Sequence, residues 1–175
     1  MVVYHDFKID LEEYARLGKK NNFPSFDRCP CCKGMVRLYR HGYYWRNAID
    51  VRRAEYRIPI CRLICPSCQK TVSILPTFLV EYFQYSLDFI FETLKKVLMD
   101  RSKVSYRQLA QFYLNRFFKR LNQIEMYFRE LGFKGVLPSS PKEKAIKLLE
   151  MILAPGKATF QRRPTGHFPH NFMAH

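Results

Sequence analysis

The sequence predicts an α+β fold, a small antiparallel sheet followed by a helical module, and three observations predict it. Two Cys-Pro-x-Cys turns, at 29–32 and 65–68, are separated by 32 residues. Between them lies a run dense in Tyr, Val, Ile and Arg, a composition that favours strands. After Pro76 the apolar residues recur at helical rather than strand spacing.

The paired turns come first because they carry the most specific chemistry. A Cys-x-x-Cys turn offers two thiolates from one tight loop, whose backbone N–H groups offset their charge. A second such turn completes the tetrahedral set that a structural zinc requires. Cys29, Cys32, Cys65 and Cys68 have this spacing, Pro30 and Pro66 hold the same place in each turn, and Gly34 follows the first. Four protein thiolates leave no open position for water, so one structural Zn2+ is expected rather than a catalytic one. A redox motif would occur once, at the head of a helix after a strand, whereas each pair here borders strand-like sequence. Cys31 is an alternative ligand to Cys32, although the two turns would then differ in spacing. Cys61, four residues before Cys65, reads as a buried strand residue.

Between the pairs, "MVRLYRHGYYWRNAIDVRRAEYRIPICRLI" reads as a hairpin, with His41-Gly42 and Asn47 as candidate bend points. "TVSILP" reads as a third strand stopped by Pro76. Two knuckles joined by a small antiparallel sheet make a zinc ribbon over residues 23–76. So small a sheet buries little core, and the metal would supply much of its folding free energy. Residues 1–22 are expected to be an N-terminal extension, strand or coil and then a helix at "LEEYARLGKK".

Charge points to the partner. The 175 residues carry a net charge of +15, and residues 29–75 hold nine Lys or Arg against two acids. Such an excess argues for an anionic partner. The hairpin carries Arg37, Arg40, Arg46, Arg52, Arg53, Arg57 and Arg62, interleaved with Tyr39, Tyr43, Tyr44, Trp45 and Tyr56, with only Asp50 and Glu55 near them in sequence. Arginines bind phosphates or the O6/N7 edge of guanine, and aromatic rings stack on unpaired bases. The plainer alternative is a solvated face whose rings cover a thin core. No secretory signal is expected at the N-terminus. The most apolar stretch, 71–99, is interrupted by Pro76, Glu81, Gln84 and Asp88, so no membrane span is expected. A reducing, cytoplasmic setting follows, in which paired Cys-x-x-Cys turns favour metal over disulfides.

The helical module is expected over 77–135. In "SLDFIFETLKKVLMD", Leu87, Ile90, Phe91, Leu94, Val97 and Leu98 form one face. "SYRQLAQFY" opens with Ser105 and has Gln108 three residues on, a capping-box pattern. "NRFFKRLNQIEMYFRELGF" places Phe117, Leu121, Ile124, Phe128 and Leu131 on one face and Tyr127 elsewhere, with Gly132 as a stop. Long helix, short helix and then a helix with a basic start is the order of a helix-turn-helix module. Arg116, Lys119, Arg120 and Gln123, beside Asn115, are then the candidates to probe the groove. No glycine marks a turn near 111–115, so the last two segments also fit one long helix of an ordinary bundle. A further helix over 136–154 has Ser140 and Glu143 as a capping box, Pro141 at its first position, and the stripe Ala145, Leu148, Leu149 and Ile152 to dock on the bundle or on another chain. Residues 155–175 read as a flexible tail, with His167, His170 and His175 as weak metal candidates and Phe160, Phe168 and Phe172 as possible anchors.

The run "CPCC…RHGYYWR…RRAEYRIPICRLICPSCQKTVSILP" followed by helices resembles the N-terminal region of bacterial insertion-sequence transposases, a zinc ribbon before a helix-turn-helix. It resembles closely the bacterial domain of unknown function 6431 family, over roughly residues 23–132. Cys29, Cys32, Cys65, Cys68, the stretch 40–42 and "RLICPSC" carry the resemblance. It implies a nucleoid-associated DNA-binding protein in the setting of a mobile element. Such transposases cut DNA with an acidic triad on an RNase H-like domain, and no carboxylate set here resembles a two-metal site. The expectation is a zinc-stabilised, non-enzymatic DNA-binding accessory or regulator, with duplex DNA as partner and a transposase as a second candidate. The rival readings are an RNA or single-strand binder that stacks bases on Tyr43, Tyr44 and Trp45, and an adaptor docking on a transposase or polymerase. A magnesium-dependent nuclease is the enzymatic alternative.

Overall fold

The computed structural model describes residues 1–154, and the chain divides into two units. The first is Met1–Leu79 with Phe83–Ser86, and the second takes Val80–Tyr82 and resumes at Leu87.

The first unit is built on four strands, β1 (Val2–His5), β2 (Tyr39–Ile49), β3 (Glu55–Ile64) and β4 (Thr71–Pro76), in the order β1-β4-β3-β2. β2, β3 and β4 are antiparallel, as expected, and β1 adds a parallel edge beside β4. Helix α1 (Leu11–Leu17) starts at Asp10, whose Oδ1 accepts from the Glu13 N–H at 2.8 Å. It lays Leu11 and Tyr14 on one face of the sheet, against Ala48, Ile58, Ile60 and Leu75. Tyr14 is fully buried, and its hydroxyl donates to the Pro59 carbonyl at 2.9 Å. The other face packs Cys61 and Leu63 of β3 and Val72 and Ile74 of β4 around Cys29, Leu38 and Cys65. Residues 1–22 thus complete the sheet and cover one of its faces, and the sheet has core on both sides.

The bend points differ from expectation. β2 runs straight through Asn47, which pairs with Arg57, and the chain reverses at Asp50–Ala54. There the Asp50 carboxylate accepts from the Ala54 N–H at 2.8 Å and Arg53 takes a left-handed φ of 66°. An aspartate closes such a turn with its own side chain, a device that asparagine in mid-strand does not use here. Gly42, at φ 149°, marks a bulge where the register shifts after Arg40.

The second unit holds α2 (Leu87–Leu98), α3 (Arg107–Lys119), α4 (Leu121–Glu130) and α5 (Pro141–Leu153). Leu87, Ile90, Phe91, Leu94 and Leu98 of α2 are buried with Ala110, Tyr113 and Phe117 of α3. α5 closes on this bundle through Ala145, Leu148, Leu149 and Ile152 and packs on α2, α3 and α4. Lys144 pairs with Glu125 of α4 at 2.5 Å. Tyr106, not Ser105, holds the cap position of α3, and Ser140 heads α5 without a side-chain capping bond. α3 passes through 111–115 and is interrupted at Arg120, with φ −105° and ψ 1°. The break resets the phase of the stripe: Tyr127 is buried with Leu121 and Ile124, and Leu131 is exposed. α4 ends in a Schellman turn, in which Gly132 N–H donates to Arg129 O and Phe133 N–H to Phe128 O, both at 3.0 Å.

Among the described residues no helix is long and apolar enough to cross a membrane. The tail residues singled out above, His167, His170, His175, Phe160, Phe168 and Phe172, lie outside the described residues.

Candidate metal centre and cationic surface

The two cysteine loops fold the same way because they make the same hydrogen bonds. In the first, Cys29 N–H donates to Gly34 O and Lys33 N–H to Cys29 O, each at 2.9 Å. In the second, Cys65 N–H donates to Lys70 O at 3.1 Å and Gln69 N–H to Cys65 O at 2.9 Å. Lys33 and Gln69, the fifth residues, are both left-handed, at φ 63° and 57°. The first loop is tight enough that a Cβ on Gly34 would stand 3.4 Å from Cys32 Sγ.

These loops bring the Sγ atoms of Cys29, Cys32, Cys65 and Cys68 within 4.8 Å of one another. Cys29 and Cys68 are 3.8 Å apart and Cys32 and Cys65 are 3.9 Å apart. A tetrahedral ion with Zn–S bonds of about 2.3 Å sets its sulfurs about 3.8 Å apart, so the four residues fit a thiolate-bound ion. Cys29 and Cys65 are buried at the sheet, while Cys32 is exposed and Cys68 half-buried. The sulfur of Cys31 turns to Met1 Sδ at 3.4 Å and stays outside the set. The geometry therefore chooses Cys32 over Cys31.

The electrostatics also favour a cation. The backbone N–H of Cys32 does most to hold the Cys29 thiol down to about 6, against the cost of burial, and the N–H of Cys31 adds to it. The N–H of Lys70 lowers the Cys68 thiol, but burial and hydrogen bonds to Cys65, Cys29 and Cys32 outweigh it and push the group up to about 12. Without a metal, one thiolate discourages its neighbours from ionising. A divalent ion at the centre removes that conflict and releases the protons.

The hairpin arginines do not form one surface. Arg52 pairs with Glu12 at 2.9 Å and Asp50 at 3.3 Å. Arg46 donates to the Phe83 carbonyl, and Arg62 to Thr71 Oγ1 at 3.1 Å. Arg53 sits in the β2–β3 turn, and Arg37 is exposed on the loop before β2. Arg40 and Arg57 lie over rings, 5.7 Å from the Tyr43 centroid and 5.9 Å from that of Trp45. Lys19 joins them, its ammonium 5.6 Å from Tyr43 and 6.0 Å from Trp45. Sequence reading missed Lys19 and Glu12, because only folding brings α1 and the 3-10 turn Gly18–Lys20 to the hairpin. Glu12, 40 residues upstream of Arg52, left no local signal.

In the second unit the expected groove-probing residues are divided by the break. Arg116 and Lys119 occupy the last turn of α3, with the Arg116 guanidinium 4.6 Å from the Phe112 ring. Arg120 is the junction itself and donates to Gln123 Oε1 on the first turn of α4 at 2.9 Å. They do not line the start of a single helix.

No curated protein and no solved structure matches the chain. Residues 29–115, from the first knuckle cysteine into α3, match the family model described as Domain of unknown function (DUF6431), and it is to that family that this stretch is similar.

Proposed function

We propose that the protein binds duplex DNA and that its four-cysteine centre holds one structural zinc, which fixes the binding surface. It is read as an accessory or regulator of DNA transposition without chemistry of its own, working in the bacterial cytoplasm at the nucleoid. A transposase is the protein partner this reading suggests.

One observation carries the reading: Lys19, Arg40 and Arg57 gather on one face of the hairpin whose two ends lead into the metal loops. None of the ion pairs among the described residues engages these three cations. Guanidinium and ammonium groups so placed suit phosphate oxygens. Arg116, Lys119 and Arg120 give the helical unit cations of its own for the same polyanion. Zinc suits the centre because four thiolates at these separations leave no position for a reacting water.

The test is a duplex-DNA titration at a series of salt concentrations, on the wild type and on R40A/R57A. The wild-type affinity should fall steeply with salt. The double variant should bind more weakly with a slope smaller by about 2, one unit for each phosphate no longer neutralised. An affinity at low salt that the double variant leaves unchanged would remove the hairpin from the binding surface.

A further inference from the structure

We infer that Trp45 is a stacking platform for an unpaired nucleobase, so that the protein prefers DNA presenting an unpaired nucleotide to fully paired duplex. This rests on the nucleic-acid reading above and names the form of DNA that the surface takes.

The alternation of β2 decides which rings share a face. Tyr43 pairs with Cys61 and Trp45 with Pro59, on one side of the sheet, while Tyr44 pairs with Ile60 on the other. The three consecutive rings of the sequence are therefore not one platform. Tyr43 is half-buried, set edge-on to Phe23 with centroids 5.5 Å apart, and forms the floor of the patch. Trp45 is the only tryptophan of the chain, and it stands 48% exposed in mid-strand.

The surroundings of that indole select the ligand. Lys19 and Arg57 hold positive charge 6.0 and 5.9 Å from its centroid, and Arg40 stands at the neighbouring Tyr43. A flat ring flanked by cations suits a partner that couples a π-face to a negative charge, and a nucleotide does so at each step. A paired duplex keeps its base faces within its own stack and reaches only the cations. A looped-out or overhanging base takes the place of one of these cations at the face of Trp45, and the displaced side chain remains within reach of the flanking phosphates.

The experiment uses the full chain, two DNA duplexes of the same paired sequence, one with a single looped-out thymidine, and an RNA duplex with the equivalent single looped-out nucleotide. The wild type should bind the bulged duplex at least fivefold more tightly and show stronger quenching of its single indole on that duplex. W45A should bring the two affinities within twofold, and W45F should keep part of the preference, which guards against an unfolded W45A. Equal affinity of the wild type for both duplexes, or a preference that W45A leaves intact, would overturn the inference while leaving duplex binding standing. A preference for bulged RNA over bulged DNA would overturn the choice of DNA. Failure to bind either duplex at low salt would instead sink the DNA reading itself.

Discussion

Arg52 and Arg57 lie five residues apart on one hairpin and have different surroundings. Arg52 stands between the carboxylates of Glu12 and Asp50, which offset its charge. Arg57 stands beside an indole with no carboxylate paired to it among the described residues. The sequence could not separate the two, because the deciding partner of Arg52 is on α1. The cysteines were different: two loops of equal spacing need only local hydrogen bonds to aim their sulfurs, and so their pairing was legible. The choice between Cys31 and Cys32 was not, since adjacent residues of one turn differ only in the direction their sulfurs take, Cys31 toward Met1 and Cys32 into the set. C31S should retain a full complement of bound metal, and C32S should lose most of it, as metal-to-protein stoichiometry will show. Loss of metal from both variants alike would mean that Cys31 belongs to the centre.

At the scale of elements, composition and period found the hairpin, the strand β4 and the helix α2, but set the hairpin's bend at His41-Gly42 or Asn47, inside β2, rather than at Asp50–Ala54. In the sequence β1 is no more than strand or coil, because four residues pairing in parallel with a partner some seventy positions away leave no local pattern. The break at Arg120 was hidden for a related reason. It carries no glycine or proline, and apolar residues recur at helical spacing on both sides of it, so only the shift in phase at Tyr127 betrays it. The end of α4, by contrast, was marked by Gly132, which takes φ 93°. Nothing lies within 4 Å of a Cβ placed there, so the whole penalty for a side chain is backbone strain. G132A should therefore destabilise the helical unit by about 1 kcal/mol, seen as a lower urea midpoint with an unchanged slope. No change in midpoint would show that the turn is not held in the folded state.

For the whole molecule, the first unit has apolar core on both faces of its sheet, larger than the sequence suggested for a ribbon. One of those cores includes Cys29 and Cys65, so the cysteine loops and the sheet share packing. The hairpin that carries Lys19's two aromatic neighbours leads toward both loops, which ties the cationic surface to the four-cysteine cluster. On the proposed reading, removal of the zinc should leave four crowded sulfurs whose repulsion and protonation loosen that end of the sheet. The most direct test follows the metal and the DNA together: zinc content and salt-dependent duplex affinity, before and after chelation and again after zinc is restored. The account predicts one zinc per chain, an affinity that falls steeply with salt, its loss on chelation and its recovery with zinc. A metal-free protein that binds DNA equally well with or without chelator, or a zinc-loaded one that binds no DNA at low salt, would contradict it.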